Sequence, residues 1–438
     1  MIARTVTRIG AVVVVAAGAC AVYVSSPANP RPLSSATFAI DPPASVVACP
    51  GQQHVPVGDV GAGGDLASEP TQRTFNVYAA VPTEPLGDGS LARSPFAAQS
   101  EVIGDGDIEG WAALSCEPAQ LDQWLVGGAT SLGSSARLVL SNPSSAPSEA
   151  TVTVYGPLGQ VQNTSVIAVA AGGQVDKLLE AVAAELPAMV VRVQATGPGV
   201  AATLQDARLE GFQPAGIEWV AASDVAQTLV IPAVGAQDPN ASATLRLLAP
   251  EGASVALTLV SDQGIELWSV GRALDLEPGM VTDIDLPQGM AGAIEVRADK
   301  AVVAAARTVV PRPPREAIVG DVAYDHMWVS GEAPRDDVLT GVLPLEGARI
   351  AVYSPTSARV VVVDSAGATI AEADVAARTV RWLDVDVPAG TVLSTTGEFV
   401  WAFVMESDAG YLAASAPVKA GLVGLTSTVV PARYPAGR

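Results

Sequence analysis

From residue 119 onward this chain repeats one pattern three times. A strand-like run ends in a small residue and a proline, and a β-branched run follows. A glycine then turns the chain, and a longer alternation of polar and apolar residues closes the unit. The copies read Ala136-Arg137-Leu138-Val139-Leu140-Ser141-Asn142-Pro143, Ala243-Thr244-Leu245-Arg246-Leu247-Leu248-Ala249-Pro250 and Ala348-Arg349-Ile350-Ala351-Val352-Tyr353-Ser354-Pro355. A tryptophan precedes each copy, at Trp124, Trp219 and Trp328, and the turn glycines Gly159, Gly264 and Gly367 follow the prolines by 16, 14 and 12 residues. A period of roughly 100 residues is too long for a solenoid unit and suits a whole β-sandwich. Val139, Leu247 and Val352 are expected to be buried and equivalent, one in each core, and the tryptophans to sit in cores or between neighbouring domains.

Composition points the same way. Of the residues 49% are apolar, chiefly Ala and Val, and 5% are aromatic, with 41 Gly and 33 Pro. Valine-rich alternation broken by glycine and proline favours strands and turns. The expected class is all-β, with tandem immunoglobulin-like β-sandwich repeats after an N-terminal signal or anchor segment. The formal charge is −21, from 45 acidic and 24 basic residues. That balance disfavours nucleic acid and anionic lipid as partners, because binding a polyanion relies on Lys and Arg displacing counterions.

The N-terminus reads as an export signal. Arg4 and Arg8 precede an uncharged apolar stretch, 9–24, and then Ser25-Ser26-Pro27. Sixteen residues span about 24 Å as a helix, against a hydrocarbon core of roughly 30 Å. Both a cleaved signal peptide, cut near Ser26-Pro27-Ala28, and a short uncleaved anchor fit. Residues 1–28 are therefore signal or anchor, and 29–44, rich in Pro, Ser and Ala, are a linker. Residues 45–118 form an N-terminal β segment, followed by sandwich repeats at 119–217, 218–326 and 327–438. One helix is expected, over 176–186, where Leu178, Leu179, Val182 and Leu186 share a face and Pro187 stops it.

Apart from Cys20 in the apolar stretch, the cysteines are Cys49 and Cys116. In an exported chain such a pair reads as one disulfide, the alternative being two separate buried thiols. Closing so long a loop contributes roughly 4 kcal/mol on the chain-entropy argument.

Chemistry is sparsely signalled. The two histidines, His54 and His326, fall in different expected domains, and no Gly-x-Ser-x-Gly elbow accompanies them. A zinc site built of His and Cys needs more of both than the chain supplies. There is no phosphate loop and no dinucleotide fingerprint. Asp105-Gly106-Asp107-Ile108-Glu109-Gly110 resembles the start of a calcium loop, but position twelve is Cys116 where glutamate is required. It reads as a solvated acidic turn. No catalytic, cofactor or metal residues are assigned, and no cofactor is expected.

Several motifs converge on one resemblance: Ala48-Cys49-Pro50-Gly51, Cys116-Glu117-Pro118, Trp124-Leu125-Val126-Gly127-Gly128, the strand Leu138 to Pro143, and the turn at Gly159. Together they resemble a family of exported actinobacterial proteins known only as a domain of unknown function. Its members carry an N-terminal membrane segment and are often encoded beside a glycosyltransferase of the cell envelope. The resemblance runs from about Ser45 to the C-terminus and is most specific between Cys49 and Gly159. It implies an envelope location and supplies no catalytic residues. The expected protein is not an enzyme. It is a non-catalytic envelope scaffold or accessory factor, presenting its sandwiches to an envelope protein or cell-wall glycan. It sits at the extracytoplasmic face of the membrane through its N-terminal segment, or is secreted if that segment is cleaved. The alternative is a secreted carbohydrate-binding or carbohydrate-active protein, which needs an open cleft lined by Trp or Tyr with converging carboxylates.

Overall fold

The computed structural model describes residues 36–40, 46–54, 70–211, 213–266, 268, 273–314, 322–419 and 425–429. The N-terminal apolar stretch lies outside these residues, and among them no helix is long and apolar enough to cross a membrane. The chain is all-β. It divides into a large unit, Ala44–Gly421, and a small one made from the two chain ends. In the small unit Ala36–Ile40 pairs antiparallel with Leu425–Val429. That strand falls in the stretch read as linker, because its partner is supplied from the far end of the sequence.

In the large unit each repeat builds two sheets that are joined by one path of chain. In the second repeat this path is the continuous strand Gly292–Arg312. Its first half pairs with Ala226–Val234 and Ala253–Ser261, and its second half with Ser242–Leu248 and Ala323–Ser330. In the third repeat Val392–Glu406 does the same, between Arg335–Val342 on one side and Ala348–Ser354 and Leu412–Ser415 on the other. The first repeat uses two strands, Val190–Ala195 and Ala201–Glu210. Here Pro198 cannot donate to a ladder and Gly199 has φ +89°, so the strand is interrupted. Gln213–Val220 pairs with Ala201–Glu210 and completes the first repeat's sheet.

Register sets the copies of the proline-bounded strand beside one another and corrects one alignment. Leu247 lies opposite Thr282 and Ala304, Val352 opposite Arg381 and Trp401, and Leu140 opposite Val175 and Ala202. The counterpart of Leu247 and Val352 is therefore Leu140, three residues before its proline, and not Val139. All four are buried, but Val139 packs on the other face of its sheet, against Ile103, Ile108 and Leu114. A shift of one residue along a strand exchanges core and outer face. The tryptophans are also buried, at 3%, 2% and 5% exposure for Trp124, Trp219 and Trp328. They are not one recurring position. Trp219 and Trp328 lie on closing strands, opposite Gln205 and Arg307, whereas Trp124 lies on the opening strand Asp122–Val126.

The expected helix over 176–186 does not form. Gly173–Leu178 is a strand paired with Arg137–Asn142, and it runs into a single 3-10 turn, Leu179–Ala181. A ladder of cross-strand bonds outweighs the helical spacing of four apolar residues, three of which lie beyond that strand.

The outward face of each proline-bounded strand docks on the module before it. Val139 meets the N-terminal segment, Leu248 packs into the first repeat's core, and Ala351 and Tyr353 pack into the second's. Gly127 and Gly128 permit one such junction. A Cβ on Gly127 would stand 2.6 Å from Val220 Cγ2 and 3.3 Å from Trp328 Cδ2, and Gly128 has φ +82°. The carbonyl of Gly128 accepts from Arg246 Nη1 at 2.6 Å.

The N-terminal segment contributes two small sheets. One comprises Arg73–Ala79, Ala97–Ile103 and Gly110–Ser115. The other comprises Glu84–Leu86, Gly89–Ala92, Val47–Cys49 and Glu117–Pro118. Cys49 and Cys116 are joined in a disulfide, with Cα atoms 4.6 Å apart. Four sheet-edge strands, Gly110–Ser115, Gln213–Val220, Ala323–Ser330 and Leu412–Ser415, contact one another in a closed ring. The N-terminal segment and the three repeats thus surround one axis.

Truncating the true core positions tests this register. Leu140→Ala and Leu247→Ala are each expected to lower unfolding free energy by about 2–5 kcal/mol in urea titrations. Losses below about 1 kcal/mol would contradict the assigned register.

Candidate functional site

Edge strands that face each other without pairing leave backbone N–H groups to be satisfied by something else. Two carboxylates do this at the axis. Glu218 Oε1 accepts from the N–H groups of Ala113 (3.1 Å) and Trp219 (2.8 Å), and its Oε2 accepts from Ala414 (3.0 Å). Asp325 Oδ2 accepts from Trp111 (3.1 Å) and Leu412 (3.0 Å), and its Oδ1 accepts from His326 (3.0 Å). Each carboxylate thus binds both Gly110–Ser115 and Leu412–Ser415. Small residues keep the approach open: a Cβ on Gly216, whose φ is +95°, would stand 2.5 Å from Asp325 Oδ1. Beyond Glu218, Ser115 and Ser415 hydroxyls lie 2.9 Å apart. Beyond Asp325, Glu109 Oε1 accepts from Arg312 Nη1 at 2.8 Å and from the Tyr411 hydroxyl at 2.7 Å.

Both axial carboxylates are fully buried. Desolvation pushes Asp325 up to about 8, against the pull of its amide donors and Arg312. Desolvation likewise holds Glu218 well above the usual range, and the neighbouring Asp325 charge adds to it. A second buried cluster adjoins them. Asp206 accepts from Arg208 Nε (2.7 Å) and Nη2 (3.1 Å) and from Trp328 Nε1 (2.8 Å). Burial works to raise Asp206, but Arg208 and His326 outweigh it and hold the carboxyl well below its ordinary value. His326 Nδ1 lies 3.0 Å from Ala215 O and Nε2 lies 3.4 Å from Asp206 Oδ2. Burial lowers its pKa. With 1% of the residue exposed and Nδ1 held against Ala215 O, the His326 ring is closed off from any substrate.

The other residues singled out by sequence have separate places. Asp105 Oδ1 accepts from the N–H groups of Thr71 (2.6 Å) and Gln72 (2.8 Å), so one end of the acidic turn organises a neighbouring chain segment. Glu109, at its other end, belongs to the axis. Trp124 stacks on Tyr155 with centroids 5.5 Å apart, and Arg192 lies 4.8 Å over its ring. His54 is far from His326 in role, lying beside Asp88 and Asp176. Glu218, Asp325 and Asp206 belong to no motif of the sequence. The signal for them was an acidic residue inside an apolar strand, as in Ile217-Glu218-Trp219-Val220.

A cleft of about 240 Å³ lies between the second and third repeats, lined by Gln237, Asp262, Arg349, Trp382 and Glu406 among others. Glu406 Oε2 accepts from the Gln237 N–H at 3.1 Å. The Arg349 guanidinium lies 4.8 Å over the Trp382 ring and pairs with Asp384 at 3.2 Å. One face of this half-buried tryptophan is therefore covered.

Residues 84–394 match a family of unknown function, DUF5719. The chain belongs to that family. No enzyme family is indicated by this match, and no curated protein matches the chain. Among solved structures, the BSP domain of a biofilm associated protein is similar at 10% identity, covering 84% of this chain and 67% of that one. The TM-score of 0.14 is too low to carry any argument.

The charged core gives a pH dependence with a defined sign. Asp325 ionises near pH 8 in the folded state and near 4 when unfolded, so its contribution is full below about pH 4 and is lost progressively as pH rises from there to about 8. Asp206 acts oppositely, losing its contribution as pH falls through its depressed value. Thermal melts are expected to show the midpoint falling between about pH 5 and 8.5, with Asp325→Asn flattening that fall. A midpoint that climbs across the range would refute the assignment.

Proposed function

We propose that this protein is a non-catalytic cell-envelope scaffold or accessory factor, holding tandem sandwich modules against a protein or glycan partner. The observation that carries this reading is where the reactive-looking groups go. Glu218, Asp325, Asp206 and His326 are all buried, and their polar atoms join one module to the next. Perturbed pKa values mark functional sites in many enzymes, but structural ion-pair networks perturb them equally. On this reading the export signal and the linker hold the modules at the outer face of the cytoplasmic membrane. Tethering of that kind raises the effective concentration of a weak partner to the mM range for a short flexible linker.

The second reading, a carbohydrate-binding protein, is favoured by the cleft that holds Trp382 with Asp262 and Glu406. Its weakness is Arg349, which occupies a ring face that a sugar would stack on.

The experiment replaces the N-terminal segment with a cleavable signal in a strain lacking the gene. The released modules are expected to leave the phenotype uncorrected while melting at the same temperature as the full-length protein. Full correction by the released form would overturn the tethered scaffold. Cell-wall glycan pull-down that is lost in Trp382→Ala would establish the carbohydrate reading instead.

A further inference from the structure

We infer that His54, Asp88 and Asp176 form a site for a divalent transition-metal ion of the zinc class, linking the N-terminal segment to the first repeat. His54 Nε2 lies 3.9 Å from Asp88 Oδ2 and 3.9 Å from Asp176 Oδ2. The three donor atoms fall within 4.8 Å of one another. These separations are too long for hydrogen bonds. They approach the spacing of two ligands that each stand ~2.0–2.2 Å from a shared ion. Binding then needs an inward movement shared by the three side chains, the greater part of it from Asp88. Asp88 can supply it, since it sits in the turn before Gly89–Ala92 with 73% of its side chain exposed.

The other two ligands are held from behind. The His54 N–H donates to Gln205 Oε1 at 2.9 Å, and its carbonyl accepts from Gln205 Nε2 at 2.7 Å. Asp176 stands on the strand Gly173–Leu178, and its Oδ1 accepts from Gln174 Nε2 at 3.2 Å, so Oδ2 is the oxygen facing His54. The Gln205 bonds hold the His54 backbone in place, and the Gln174 bond to the Asp176 carboxylate is of the outer-shell kind that orients ligands in metal sites. Arg137 Nη1 also lies 3.9 Å from Asp176 Oδ2 and offsets one of the two negative charges. The remaining carboxylate and the imidazole nitrogen still favour a cation. An imidazole donor selects zinc, copper or nickel over calcium or magnesium, which take oxygen ligands. Such an ion would tie together the same two modules that meet through Val139, close to the Cys49–Cys116 bond.

The test titrates EDTA-stripped full chain with zinc chloride by calorimetry, with a calcium chloride titration alongside. One equivalent of zinc is expected, with affinity about tenfold weaker or worse in His54→Gln and in Asp176→Asn. Zinc should raise the thermal midpoint of the natural chain and leave that of His54→Gln unchanged. A metal-free His54→Gln protein that melts like the natural chain shows the variant is folded. The proposal is overturned if the natural chain binds no zinc, if His54→Gln binds it equally, or if calcium binds with the same affinity.

Discussion

At the centre of this molecule four sheet edges face one another, each carrying amide groups that no neighbouring strand satisfies. A buried N–H without an acceptor costs about 1–3 kcal/mol. Glu218 and Asp325 accept six such amides between them, drawn from strands of the N-terminal segment and all three repeats. Because each carboxylate reaches two strands other than its own, neither sheet edge can leave without exposing the other's donors. The cost of burying two carboxyls is met by letting them hold protons to unusually high pH.

The same economy governs the module junctions. Successive strands show one face to their own core and the other to the preceding module, so a repeat has no free sheet face on that side. Charges enter these junctions only where they find partners. Arg246 is an example, pairing with Asp283 at 2.8 Å while donating to the carbonyls of Gly128 and Met189 in the first repeat. Burial lowers the pKa of Arg307 to about 10, with the Arg208 and Arg246 charges adding to the effect and Asp206 and Asp283 opposing it. The surface is left with the excess of negative charge, which suits solubility more than polyanion binding.

The scaffold proposed for this protein draws its support from this distribution. A catalytic carboxylate needs an open approach, and the axial ones are enclosed by the backbone they bind. The more open polar places are the cleft beside Trp382 and the group around His54. Both lie at junctions between modules, so anything bound there would also affect how the modules are held.

The all-β class, the pairing of Cys49 with Cys116 and the burial of three tryptophans were legible in the sequence, because they rest on local alternation, turn residues and cysteine count. The strand partner of Gly173–Leu178 was not, and an apolar spacing suited to a helix gave way to it. Nor was the choice of Leu140 over Val139, since both are apolar and only the sheet register decides which faces the core. The ring of edge strands, and with it the roles of Glu218, Asp325 and Asp206, depended on residues separated by whole modules. An acidic residue in an apolar strand announces that a partner exists. Which amide or guanidinium it meets is set by tertiary packing, which brings residue 113 and residue 414 to one carboxylate.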